Sequence, residues 1–157
     1  MPLGTPLEFP QLLKKVNLEG DAMSDIEKNA QIAAPIEKVW AALTDPTSIR
    51  GWMGEDSTVD VDLRVGGHYR FFGGDTIGAF TQVEKPHILE YTWRQGEWHG
   101  EWPDSIVRWE LRPVGQWTQV SLTHSKFPND EERDGHDEGW DMYFLGPMKN
   151  WLEAKAV

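Results

Sequence analysis

Cysteine is absent from this 157-residue chain. That absence removes thiol nucleophiles, cysteine-held metal, iron–sulfur clusters and any disulfide framework, and it fits a reducing compartment. Positive charge is scarce. Fifteen Lys and Arg stand against 26 Asp and Glu, a formal net charge of −11. Nucleic-acid affinity comes from cations that displace phosphate counterions, so such a chain repels nucleic acid, and an anionic membrane surface is disfavoured for the same reason. Long apolar runs are also missing. Nothing approaches the roughly 18 residues of a spanning helix. The opening MPLGTPLEFPQLLKK has neither the positive start nor the continuous apolar core of an export signal. The reading is a cytoplasmic protein without membrane insertion.

Familiar catalytic motifs are lacking too: there is no GxSxG elbow, HExxH pair or Walker loop. Gly66-Gly67 and Gly73-Gly74 read as turns rather than phosphate cradles, because no helix follows either pair. No cofactor or metal is expected. His99 and His136 have acidic neighbours but no further ligands at defined spacing.

What the chain does have is tryptophan, nine of them. Indole is large and amphipathic, and it fits either a packed core or the wall of an aromatic cavity. Length alone argues for one domain, on a prior of roughly 100–200 residues each. Residues 1–24, with Pro2, Pro6 and Pro10, read as an N-terminal arm, partly ordered through Leu7, Phe9, Leu12, Leu13 and Val16. Met23-Ser24-Asp25 resembles a translation start. The domain is therefore expected over 25–157, with the arm dispensable.

From residue 26 the pattern becomes regular. Ile26 to Ile32 predicts a strand. Ala34-Pro35 opens a helix whose Ile36, Val39, Trp40 and Leu43 share one face, and Thr44-Asp45-Pro46 ends it and starts a second, short one. Alternation then marks strands: Val59, Val61 and Leu63; His68 to Phe72; Ile77 to Val83; Leu89, Tyr91 and Trp93; Val107, Trp109 and Leu111; Val120, Leu122 and His124. Their connections are too short for parallel crossovers, so the sheet is an antiparallel meander. Trp140, Phe144, Met148, Trp151 and Leu152 recur at helical spacing, which predicts a final helix over about 137–156. Gly146-Pro147 should kink it. The acidic run Asp130-Glu131-Glu132-Arg133-Asp134 reads as a solvated stretch ahead of that helix. The class is α+β, with helices on one face of the sheet.

These residues resemble a known family. Ala34-Pro35-Ile36-Glu37-Lys38-Val39-Trp40-Ala41-Ala42-Leu43-Thr44-Asp45-Pro46, then Arg50-Gly51-Trp52 and Val65-Gly66-Gly67, look like the START-like superfamily with its helix-grip fold. Leu122-Thr123-His124 before Phe127-Pro128, and Gly139-Trp140 opening an aromatic helix, resemble the branch named for the activator of the 90-kilodalton heat-shock chaperone ATPase. The resemblance spans about residues 25–155. It implies a curved sheet of about seven strands around the C-terminal helix, with a tunnel between them that takes a small apolar molecule. Tyr91, Trp93, Trp109, His124, Trp140, Tyr143 and Phe144 are the expected lining, and Trp98 and Trp102 the expected lid. Two alternatives stand beside ligand binding. One is co-chaperone action on the ATPase cycle of that chaperone. The other is a cyclase- or hydrolase-type enzyme using a tunnel His or Tyr, although a binding module is favoured over an enzyme. Oligomeric state is left open.

Overall fold

The computed structural model describes residues 25–155; the expected N-terminal arm, residues 1–24, lies outside them. Strand β1 (Ile26–Ile32) leads into helices α1 (Ile36–Thr44) and α2 (Pro46–Met53). Strands β2 (Asp60–Val61), β3 (His68–Phe71), β4 (Thr76–Glu84), β5 (Ile88–Gln95), β6 (Ser105–Val114) and β7 (Trp117–Ser125) follow. The chain closes with α3 (Asp130–Gly139), a π-helical stretch over Trp140–Leu145, and α4 (Gly146–Lys155). All seven strands join one antiparallel sheet, ordered β1-β7-β6-β5-β4-β3-β2, so the first strand pairs with the last. This is the helix-grip architecture: α+β, a curved sheet closed over a long C-terminal helix.

The helical joint after β1 is built by one residue. Asp45 ends α1, and its carboxylate accepts the Ser48 N–H at 3.0 Å to cap α2, while Pro46 fills the first helical position where no donor is needed. The strand phases also hold. Leu89, Tyr91, Trp93, Val107, Trp109, Leu111, Val120, Leu122 and His124 all point into the core. So do Tyr69 and Phe71, which leaves His68 and Arg70 on the outer face, while Phe72, just past the strand, leaves the alternation and turns back toward Phe144. Lys28 shares the inner face of β1 with Ile26 and Ile32, where Asp141 at 2.8 Å and Asp137 at 2.9 Å on the C-terminal helix take its ammonium. Asp141 above all holds that group's pKa above the ordinary lysine value. Gly78 is required where β4 crosses β5, because a Cβ there would stand 1.9 Å from the Thr92 carbonyl.

Three expectations need correction. Leu63 lies outside β2 and is 38% exposed, so the alternation beginning at Val59 stops after Val61. Tyr143 does not face the sheet with Trp140 and Phe144; it is 60% exposed. The terminal helix starts at Asp130, seven residues earlier than its apolar spacing predicts. That first turn is held by capping instead of burial. The Asn129 side chain accepts the Glu132 N–H at 2.8 Å, and Asp130, Glu131 and Glu132 face the positive end of the helix dipole. Asn129→Ala is expected to cost about 1 kcal/mol, read as a fall of about 2–4 °C in a thermal melt.

The expected kink is a register change. The Gly146 N–H bonds Asp141 O rather than the carbonyl four residues back, so the helix widens just before Pro147, which has no N–H to give.

Candidate functional site

The π-helical stretch and the Asn129 cap together shape a cleft. Widening the helix turns Trp140 and Phe144 onto the sheet and leaves Tyr143 at the surface. Extending it back to Asp130 brings Glu131, Glu132, Gly135, His136 and Gly139 to the same side. Across from them stand Phe72, Thr76, Trp93, Gln95 and Glu97. The space between is about 270 Å³ and opens to solvent.

Its floor is aromatic. Trp140 and Phe144 pack at 4.6 Å between ring centroids, Trp93 and Trp140 at 4.9 Å, and Trp93 and Phe144 at 5.9 Å. Each of these rings is at least nine-tenths buried. Phe72, held in a left-handed conformation at φ 56°, leans on Phe144 at 6.2 Å as a partly exposed wall. The opposite wall is low because the helix is glycine there: a Cβ at Gly135 would meet nothing within 4 Å.

Two Trp–His pairs fix the floor. Trp93 Nε1–H donates to His136 Nε2 at 3.0 Å, and His136 Nδ1–H donates to the Glu132 carbonyl at 2.7 Å. Trp140 Nε1–H donates to His124 Nδ1 at 3.0 Å. Ser105 Oγ lies 2.8 Å from His124 Nε2, and its own proton goes to the Trp93 carbonyl at 2.8 Å. The serine must therefore accept from His124, which assigns the neutral imidazole with its proton on Nε2. Burial, reinforced by His136, holds the His124 pKa well below the ordinary histidine value. The two imidazole centroids are 5.3 Å apart.

Of the residues expected to line a tunnel, Trp93, Trp140, Tyr143 and Phe144 meet at this cleft. Tyr91, Trp109 and His124 sit behind its floor, in close packing. Trp109 Nε1–H donates to the Tyr91 hydroxyl at 2.9 Å, and burial pushes the Tyr91 phenol pKa up. Of the expected lid, Trp98 is buried against α3, with its Nε1–H on Glu132 at 2.8 Å and its ring 6.1 Å from His136. Trp102 packs half-buried on Trp98 and His99. These two indoles brace the β5–β6 loop from behind, and the neighbouring Glu97 is the loop residue that reaches the cleft.

On the helix side, Glu131, Glu132, His136 and the two glycines are lining residues that apolar periodicity does not find, as are Thr76, Gln95 and Glu97 on the sheet side. The signal that could have found the helical ones is Asn129. With a cap there, Glu132, Gly139 and Trp140 lie three or four residues from His136 on one helix face. Among the described residues no group of three or more His, Asp or Glu is placed to hold a metal ion. No helix among them is long and apolar enough to cross a membrane.

Known proteins share this frame. A crystal structure described as an HSP90 activator from Plasmodium falciparum is 29% identical, with a TM-score of 0.73 over 82% of this chain and 95% of that one. The crystal structure of CalU16 from Micromonospora echinospora is 27% identical, with a TM-score of 0.69 over 84% of this chain and 78% of that one. An uncharacterised protein of Schizosaccharomyces pombe is 25% identical over 135 residues, which are 85% of this chain but 39% of that longer protein. The family model described as activator of Hsp90 ATPase homolog 1-like protein matches residues 33–153, and the chain belongs to that family, within the START-like superfamily.

Proposed function

We propose that this protein binds a small aromatic or apolar molecule in the cleft between Trp93 and the C-terminal helix. The supporting observation is the floor itself. Trp93, Trp140 and Phe144 form the base of a solvent-open space, each reaching it with a small part of its surface, and the more exposed Phe72 and Tyr143 complete the aromatic lining. Concave sites of mostly apolar lining with a few convergent polar groups are where small ligands bind. Its 270 Å³ falls just below the roughly 300–1,000 Å³ common for such sites. That suits one or two fused rings better than a long acyl chain. Behind the cleft, Tyr91, Trp109 and His124 are buried in close packing where an axial tunnel would run.

Gly135→Leu tests the reading without damaging the fold. Leucine has the better helix propensity by roughly half a kcal/mol, and its side chain grows into the open cleft. The variant is expected to melt at or above the parent temperature and to bind a neutral two-ring probe such as naphthalene methanol at least tenfold more weakly, by calorimetry. Undiminished affinity would place the ligand elsewhere.

A second reading, action on a heat-shock chaperone, is supported by the family and by the Plasmodium falciparum structure. Measuring the ATPase rate of the 90-kilodalton chaperone with and without this protein separates it from the first. An acid–base role for His124 has less support, because both ring nitrogens are already committed to Trp140 and Ser105.

A further inference from the structure

Charge in the cleft is one-sided. Its lining holds three carboxylates, Glu97, Glu131 and Glu132, and no Lys or Arg. Glu132 is occupied by the Trp98 indole. Glu97 and Glu131 have no hydrogen-bond or ion-pair partner among the described residues. The helix dipole accounts for Glu131, which lies in the first turn of α3. It does not account for Glu97, which comes from the β5–β6 loop. Two separate elements thus bring unpaired carboxylates to the mouth of a space whose base is three aromatic rings. His136, the one lining group that could carry positive charge, spends both nitrogens on Trp93 and Glu132.

Resting on the aromatic-ligand reading above, we propose that the cleft selects a cationic aromatic ligand: a one- or two-ring system bearing a protonated amine or a quaternary ammonium. The rings lie against Trp93, Trp140 and Phe144, and the positive group sits toward Glu97 and Glu131. Both halves of the site favour that chemistry. The cleft's more exposed rings, Phe72 and Tyr143, carry negative quadrupole on their faces and attract cations. The carboxylates of Glu97 and Glu131, both exposed at the mouth, add a Coulomb attraction that salt screens. An anionic ring compound meets repulsion from the same groups.

The test uses the full chain and three naphthalene probes of one size, carrying an aminomethyl, a hydroxymethyl or a carboxymethyl group, titrated by calorimetry and by the indole N–H signals in NMR. Expected is a preference of about tenfold for the ammonium over the alcohol, with the carboxylate weaker still. In the double variant Glu97→Gln/Glu131→Gln the ammonium-to-alcohol ratio falls to within about twofold. In Glu37→Gln/Glu55→Gln, which removes the same charge from exposed positions on α1 and after α2, the ratio persists. Equal or inverted preference in the parent, or a ratio that survives the Glu97/Glu131 change, overturns the charge selection and leaves the aromatic site standing. Collapse in both double variants assigns the preference to net charge and overturns it as well. If no probe binds, the cleft is not an aromatic site and both readings fall.

Discussion

Trp140→Ala is expected to lower the melting temperature by about 10–15 °C, corresponding to a loss of about 4 kcal/mol. Few side chains in the molecule join so many parts of it. The indole is 2% exposed and packs on Trp93 at 4.9 Å, Trp109 at 5.7 Å, His124 at 5.6 Å and Phe144 at 4.6 Å. Truncation removes apolar burial and leaves a cavity between sheet and helix that stiff aromatic neighbours cannot collapse into. It also strips His124 Nδ1 of its donor. Trp140→Phe separates the two terms. Most of the packing survives, while a buried acceptor is left unmet, so about 1–3 kcal/mol is lost. Chemical denaturation of both variants, fitted with a common slope, measures the difference. Equal losses would mean that the ring packing kept by phenylalanine contributes nothing, whereas no loss in Trp140→Phe would mean that the Trp140–His124 bond contributes nothing and that packing alone holds the helix in the grip.

Much of this frame was legible in the residues. The bounds of β1 follow from Ile26 and Ile32, and the α1–α2 joint from Thr44-Asp45-Pro46. The inward set from Leu89 to His124 follows from simple alternation in strands with one dry face, where a one-residue slip would expose every member. What stayed hidden had no periodic signature. The first turns of the last helix bury none of their residues, and polar capping rather than an apolar stripe holds them. The π-helical register change lies within a pattern that reads equally well at ordinary helical spacing. Yet that half-step is what turns Tyr143 outward while Trp140 and Phe144 stay in. The aromatic set was therefore visible as a set. Its division into packed core (Tyr91, Trp109, His124) and cleft floor (Trp93, Trp140, Phe144) depends on side-chain directions that spacing does not encode.

Stability should fall as pH drops below about 6.5, in a range where carboxylates are still ionised. The cause is His124. Its folded-state pKa is depressed, chiefly by burial and further by His136, so the unfolded chain takes up a proton first. The stabilisation is complete above the ordinary histidine value and is lost as pH falls from there toward the depressed one. The slope approaches one proton, about 1.4 kcal/mol per pH unit. Geometry supplies the reason: an imidazolium would set a second N–H against the Trp140 N–H at Nδ1. Other shifted groups act elsewhere on the scale. Glu153 is depressed by Lys149 and the Ala33 N–H, so its contribution is lost only as pH falls below the glutamate value of 4.5. Lys28 is raised, so its contribution is lost as pH rises beyond 10.5. Urea midpoints taken between about pH 7.5 and 5 therefore avoid Glu153 and Lys28, and His124→Gln, which cannot titrate, identifies the share due to His124 by flattening the limb at some cost in overall stability. In Trp140→Phe the opposing donor is gone, so His124 accepts a proton more readily in the folded state and the limb becomes shallower. NMR of the folded parent checks the assignment directly: the His124 ring resonances should hold their neutral positions as pH falls through the ordinary histidine value of 6.5. A His124 ring that titrates near 6.5 in the folded protein would overturn both the tautomer and the limb.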